Sequence, residues 1–216
     1  SRPPLYHDLL DLPESAQDLE EELKINFDSN IQQARAMRSG FDDSGVSSNN
    51  RIIERHDTDW GAYWKSYDFD GETGKNNIFK HPLGPGYDAD SFEHAGGEII
   101  YNLPNGLQAY LLVNAAGKRI DQAPVEIVND PRQNDSTVLN GISCMGCHYK
   151  GIIKPKSLDA VRKSVQTAKE DNDESFTDTK YREILALYKD KELLSQKIGE
   201  DQGRFFHALL KCGISS

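Results

Sequence analysis

The sequence predicts an α+β fold in which helices at both ends surround a small antiparallel β-meander. Between residues 14 and 38, apolar side chains recur at steps of three and four, the spacing of one helix face. Two apolar runs, 98–103 and 107–113, flank Pro104-Asn105-Gly106, and Asn-Gly is a strong hairpin signal. Helical spacing returns after Cys147. With 216 residues, we expect a single domain.

The N-terminal region, residues 1–45, is predicted to be helical. Its principal helix covers 14–38, and Gly40 follows as a stop signal. The run Asp28-Ser29-Asn30 leaves open a division into two helices, because these residue types favour helix caps. The apolar face comprises Leu19, Leu23, Phe27, Ile31 and Ala34.

Residues 46–97 are predicted to form an irregular layer rich in glycine and aromatic residues. Glycine and proline interrupt the segment repeatedly, as in Pro82-Leu83-Gly84-Pro85. A disordered linker would be poor in aromatic residues, so we expect this layer to be ordered. The aromatic cluster is Trp60, Tyr63, Trp64, Tyr67 and Phe69.

The β-meander is predicted over residues 98–129. After the Asn-Gly hairpin, a second turn at 115–118 leads to a third strand at 125–128. Residues 140–216 then carry a cysteine motif and three helical stripes, one of which follows Ser157 as a candidate N-cap.

Composition excludes several classes of protein. The formal net charge of −10 argues against binding driven by nucleic-acid phosphates. No apolar window approaches the ~18 residues that a membrane-spanning helix needs. The three cysteines are a poor disulfide framework, because their number is odd and two of them lie three residues apart.

Those two cysteines belong to Cys144-Met145-Gly146-Cys147-His148, the Cys-x-x-Cys-His motif of covalent haem attachment. Thiols one helical turn apart can each reach one vinyl group of the same porphyrin, and His148 then serves as the proximal iron ligand. A dithiol redox motif would follow a strand in a βαβ unit, which the pattern lacks. A zinc site would need a second ligand pair, whereas Cys212 is isolated and is expected to be a buried apolar residue.

The chain resembles c-type cytochromes and, more closely, a poorly characterised group of secreted bacterial monohaem proteins. The matching stretches are SGVSSNNRIIERHDTDWGAYWKSYDF, HPLGP, GGEIIYNLPNGLQAYLLV and NGISCMGCH, between about residues 44 and 148. The resemblance implies one covalent haem c, a cytochrome-c-like haem-binding helical segment on the C-terminal side, and a periplasmic or extracellular location. Members of that group are longer chains, of which this segment resembles the C-terminal portion.

The sixth iron ligand stays open. Class I cytochromes c place a methionine downstream of the motif, but no methionine follows His148 here. His94 and His56 are the first candidates and His81 is next, because each has a carboxylate, small residues or a stiff loop beside it. We expect Met37 to pack in the core and His207 to face solvent, since its helical position points away from the apolar stripe.

Arginines upstream of the haem motif are candidate partners for the haem propionates. Arg51 and Arg55, and with them Arg38, offer bidentate hydrogen bonds to carboxylates. Residues 149–165 carry five basic residues against one acidic residue, which predicts a basic docking face for an acidic redox-partner protein.

The expected function is electron transfer by a monohaem c-type cytochrome outside the cytoplasm, with no substrate bound. The alternative is a haem enzyme or sensor, peroxidase-like or gas-binding, with an open or weakly occupied distal position. The missing downstream methionine favours this alternative, because five-coordinate ferric iron can bind peroxide and the ferrous form can bind a diatomic gas. A distal histidine or arginine would then act as acid or base toward peroxide.

Overall fold

A computed structural model describes residues 2–42, 49–130 and 135–214, and it confirms the α+β class. Its centre is an antiparallel sheet in which five strands lie in chain order, so each strand pairs with its sequence neighbours. The strands are β1 (Met37–Phe41), β2 (Arg51–Thr58), β3 (Gly61–Asp68), β4 (Gly96–Asn102) and β5 (Gln108–Asn114). A separate two-stranded ladder joins β6 (Gln122–Ala123) and β7 (Val138–Leu139).

Seven α-helices are found in the described residues, three before the sheet and four after it. Side-chain caps begin several of them: for example, Asp190 accepts from the Leu193 N–H at 2.8 Å at the start of α7. The helices are α1 (Leu5–Leu10), α2 (Ala16–Glu22), α3 (Phe27–Gln32), α4 (Ile142–Cys147), α5 (Ala160–Glu170), α6 (Asp178–Leu187) and α7 (Lys191–Lys211).

The N-terminal helix predicted over 14–38 is divided, but not at Asp28-Ser29-Asn30, which lies inside α3. The break falls earlier, where Lys24 adopts a left-handed φ of 57° and Asn26 caps α3 by accepting from the Ser29 N–H. The last residues of the predicted helix form edge strand β1. Gly40 therefore does not stop a helix: it lies within β1, where a Cβ would come within 2.6 Å of the Val161 side chain.

The irregular layer predicted over 46–97 is wrong for 51–68, which form β2 and β3. These two strands pair through their whole length, from Arg51 with Asp68 to Thr58 with Gly61. Residues 69–95 are irregular apart from one 3₁₀ turn, as expected. The 45/46 boundary of this layer lies outside the described residues.

The predicted hairpin is confirmed as β4 and β5, with the Leu103 N–H bonded to the Leu107 carbonyl at 2.8 Å. The turn at 115–118 is confirmed too, but the third strand at 125–128 is wrong. Those residues form a turn in which the N–H groups of Ile127 and Val128 bond to the carbonyl of Pro124. These local bonds use the N–H groups that a strand would give to a neighbouring strand, so the apolar pattern does not form one.

The sheet has two covered faces, and strand parity decides which side chains lie on each. The back face carries Ile52 and Tyr67, which pack in one apolar cluster with α5 and α6. The front face faces α4 and residues from 120–130 and 138–156, and α7 adjoins it through contacts to β2 and β3. The front face, as used below, consists of Arg51, Ile53, Trp64, Glu98 and Leu112.

Candidate functional site

A cavity of about 480 Å³ lies between the front face and residues from 120–130 and 138–156. This volume falls within the ~300–1,000 Å³ of sites that hold small molecules and cofactors. Most of the lining is apolar, which excludes water and strengthens electrostatic interactions inside. The apolar lining includes Ile53, Trp64, Leu112, Ile120, Val128 and Ile152.

Helix α4 presents the haem motif to this cavity. It begins after Gly141, which has φ 83° and lies so close to the Tyr6 ring that a Cβ would come within 2.5 Å of it. Ser143 Oγ accepts the Leu139 N–H at 3.1 Å, which ties the helix start to β7. Cys144, Cys147 and His148 all line the cavity, Cys144 buried and the other two half-buried. Both thiols and the imidazole therefore line the same cavity, and the prediction of haem attachment stays a prediction.

His148 is oriented by a turn that immediately follows the motif. Its Nδ1–H donates to the Gly151 carbonyl at 3.2 Å, since a carbonyl oxygen only accepts. Gln202 of α7 donates to the next carbonyl, that of Ile152, at 2.8 Å and so holds this turn in place. With Nδ1 engaged by a carbonyl, Nε2 is the ring atom left for a metal, the arrangement that metal-binding histidines use.

Glu98 of β4 faces that nitrogen. Its Oε2 lies 3.4 Å from His148 Nε2, and its side chain is 17% exposed. Burial opposes ionisation of Glu98, but His148 and Arg51 outweigh burial and lower the pKa of this carboxyl to about 2. Burial lowers the His148 pKa, but the Glu98 carboxylate and the Gly151 carbonyl together outweigh burial and raise it overall. The Cys144 thiol has its pKa raised by burial and by the Glu98 charge, so it is a neutral thiol.

Of the two predicted propionate partners, Arg51 lies at the cavity and Arg55 does not. Arg51 lines the cavity beside Lys65 and pairs with Asp68, Nε to Oδ1, at 2.5 Å. Arg55 is buried against α7, where Asp201 accepts from its Nε at 2.8 Å and its Nη2 at 3.1 Å. Its charge is therefore already neutralised within the fold. Arg38, the third arginine considered, is buried on the back face with Glu54.

The histidines expected on the distal side lie elsewhere. His56 is on the back face with both ring nitrogens engaged, Nε2 by Glu54 at 2.9 Å and Nδ1 by Asn30 at 3.1 Å. The His94 ring packs edge-on against Tyr67 with centroids 5.1 Å apart, also on the back face. His81 lies in a loop with its Nδ1 bonded to the Asp90 carbonyl. None of the three lines the cavity, so the structure does not bring them to His148.

The remaining candidates behave in part as expected. Met37 packs against the core cluster, and His207 is exposed, both as predicted. Cys212, expected to be buried, is exposed at the end of α7. Its predicted burial is wrong because α7 has by then run past the body of the protein.

Two important residues escaped the sequence reasoning, Glu98 and Asp201. Glu98 was placed in a predicted apolar strand and was given no role. Side chains alternate between the two faces of a strand, so Glu98 shares a face of β4 with Ile100, and this alternation was the available signal. Asp201 lies between apolar residues of α7, a position that on a helical wheel already points inward near Ile198 and Phe205.

Over the ranges 2–42, 49–130 and 135–214, no group of three or more histidine, cysteine, aspartate or glutamate side chains is arranged to hold a metal ion by itself. No helix in this described part is long and apolar enough to cross a membrane.

Comparisons of the chain with protein-family models, with curated proteins and with solved structures gave no match.

Proposed function

We propose that this chain carries one haem c, attached through Cys144 and Cys147 with His148 as the axial ligand, and that it transfers electrons outside the cytoplasm. The observation that carries the proposal is the meeting of all three motif residues at one apolar cavity, with His148 Nδ1 engaged by a backbone carbonyl. The location rests on the resemblance to secreted monohaem proteins. When bound, the haem iron would supply one-electron transfer between its ferrous and ferric states.

The residues present fit this group. The two thiols lie one helical turn apart at the cavity, which suits two thioether bonds to one porphyrin. The Gly151 carbonyl holds the imidazole orientation, and the apolar lining keeps water away from the macrocycle. Arg51 lines the cavity and pairs with Asp68 through Nε, so its guanidinium would have to be shared between Asp68 and a propionate.

The surface next to the motif supports a docking role. We define the docking surface as the exposed apolar residues Met145, Tyr149 and Ile153 with the exposed lysines Lys150, Lys154 and Lys156. Ile153, Lys154 and Lys156 also line the cavity, so this surface adjoins the proposed haem. An apolar centre with basic neighbours favours an acidic partner that approaches the haem edge.

Part of the predicted basic strip has a structural use. Arg162 donates to the carbonyls of Leu185 and Tyr188, at 3.0 and 2.7 Å. Lys163 pairs with Asp159 at 3.0 Å. Lys154 also donates to Ser195 Oγ at 2.7 Å. The docking proposal therefore rests on the exposure of the three lysines of the docking surface and on their position beside the cavity.

A haem enzyme or sensor is the second candidate, and one observation favours it. Among the described residues that line the cavity, His148 is the single imidazole and no methionine is present. A haem held from one side by His148 would have its other axial position open to peroxide or a diatomic gas.

The test is expression of the chain in cells that perform c-type haem attachment, followed by purification from the periplasm. We expect one covalently bound haem with reversible one-electron reduction. Cys144→Ser and Cys147→Ser should each lose one thioether, and the double variant should lose covalent haem. Cys212→Ser is the matched control and should keep it. Retention of covalent haem by the double variant would reject the proposal. Ready carbon monoxide binding by the reduced protein would favour the second candidate.

A further inference from the structure

We propose that Glu98 supplies the sixth ligand of the iron, a carboxylate oxygen on the side opposite His148. This inference rests on the proposed haem attachment and names a residue for the position that the upstream histidines do not fill.

The geometry begins with the axial nitrogen. His148 Nε2 is the ring atom available to iron, and the group that it meets in the cavity is Glu98 Oε2, 3.4 Å away. Metal–nitrogen and metal–oxygen bonds are each about 2.0–2.2 Å in proteins. If iron binds His148 Nε2 and Glu98 Oε2 from opposite sides, the two atoms must be slightly farther apart than 3.4 Å. The carboxylate therefore needs only a small outward movement to bind an iron that is bonded to Nε2.

Glu98 is held in place by its strand. Its backbone N–H donates to Ser66 Oγ at 2.8 Å, and its neighbours in β4 pair with β3 and β5. The side chain therefore projects from a central strand rather than from a loop, which is the rigid support that a metal ligand needs.

The other acidic group of the front face that adjoins Arg51 is already committed. Asp68 accepts from Arg51 Nε at 2.5 Å and from Ser66 Oγ at 3.3 Å. Glu98 instead directs its carboxylate at the two motif residues, His148 and Cys144. Of these two carboxylates, Glu98 is the one that faces the axial nitrogen.

The chemistry suits ferric iron. An anionic oxygen ligand compensates the ferric charge and would replace a water molecule as the sixth ligand. A carboxylate is a weak-field ligand, so the oxidised protein should be high-spin. The charge of Glu98 also favours the ferric over the ferrous state, and axial-ligand identity is a principal determinant of haem potential.

The decisive experiment replaces Glu98 by a strong-field ligand in the haem-loaded protein. We expect Glu98→His to convert the oxidised absorption and electron paramagnetic resonance spectra from high-spin to low-spin, because an imidazole at this position reaches the iron. Glu93→His is the control, since Glu93 is an exposed glutamate that pairs with Lys75. It should leave both spectra unchanged.

Glu98→Ala gives a second readout, because it removes the carboxylate without introducing a new iron ligand. In Glu98→Ala, azide no longer competes with the carboxylate for ferric iron. The affinity of the ferric protein for azide should therefore rise by about tenfold or more. An oxidised wild type that is already low-spin, or an azide affinity unchanged in Glu98→Ala, would overturn the inference. So would a Glu98→His protein with the wild-type spectra. The intact mass of these same samples shows whether covalent haem is present. If it is present, the results above test the Glu98 ligand alone, and if it is absent, both proposals are overturned.

Discussion

At the residue scale, His94 shows how packing against aromatic side chains changes an ionisation. Its ring lies 5.1 Å from the Tyr67 ring, and burial, with a smaller contribution from the Lys65 charge, lowers its pKa from 6.5 to about 4. In the unfolded chain this histidine takes up a proton near pH 6.5, whereas the folded protein resists protonation until about pH 4. The neutral imidazole therefore contributes stability above pH 6.5 that is lost as the pH falls toward 4.

This linkage gives a measurable prediction. Between pH 7 and 4.5, His94 should account for a loss of about 2 kcal/mol in the free energy of unfolding. Urea unfolding of His94→Gln should show a smaller loss over this interval than the wild type. His207→Gln, at an exposed histidine, should follow the wild type. Equal pH dependence in His94→Gln and the wild type would contradict the prediction.

Residue identity alone did not reveal the role of the arginines. Arg51 and Arg55 share one face of β2, yet one lines the cavity and the other is bound by Asp201, 146 positions away in sequence. The sequence supported the haem motif because its three residues are local. It could not support the choice of sixth ligand, because that choice depends on which sheet face each histidine occupies.

At the element scale, Asp201 fixes helix α7 to the sheet. Its carboxylate accepts from Arg55 at 2.8 Å and from the Trp64 indole N–H at 2.9 Å, and the residue is 1% exposed. Removing one partner of a buried ion pair leaves an uncompensated charge, which costs about 3–5 kcal/mol.

We therefore expect Asp201→Ala to lower the free energy of unfolding by about 3 kcal/mol or more, measured by urea denaturation. Glu200→Ala is the matched control, because Glu200, which directly precedes Asp201, contacts Lys197 and Gln196 on the exposed side of α7. It should change stability little. Similar losses in the two variants would show that the buried pair does not anchor the helix.

Elements whose sequence signals are local were predicted correctly, and elements that depend on residues distant in sequence were missed. The β4–β5 hairpin was predictable because Asn105-Gly106 specifies the turn and the flanking strands are apolar. Strands β2 and β3 were missed because both of their faces are buried and several buried positions are charged. Glu54 and His56 interrupt the apolar pattern of β2, yet Arg38 and Asn30 satisfy them inside the protein. Hydrophobic alternation cannot reveal a strand whose inward residues are ion pairs.

At the scale of the whole molecule, charge is distributed unevenly. The net charge is −10, while Lys150, Lys154 and Lys156 gather beside the proposed haem. We expect this surface to attract an acidic partner, while the net negative charge of the rest of the protein repels acidic molecules elsewhere.

Electron exchange should consequently depend on these lysines. At low ionic strength, Lys150→Glu with Lys154→Glu should slow electron exchange with an acidic redox protein by roughly tenfold, and added salt should reduce the difference. Lys75→Glu with Lys169→Glu, two lysines outside the docking surface, is the control and should have a smaller effect. Stopped-flow kinetics measure both pairs. An equal effect of the two pairs would place docking elsewhere.

The mass of one tryptic peptide from the periplasmic protein tests covalent haem attachment. Cleavage after Arg132 and Lys150 releases residues 133–150, which contain Cys144, Cys147 and His148. We expect this peptide to carry the mass of one haem, with neither cysteine available to an alkylating reagent. A peptide of unmodified mass with two alkylated cysteines, from cells that attach haem to a control cytochrome, would contradict it.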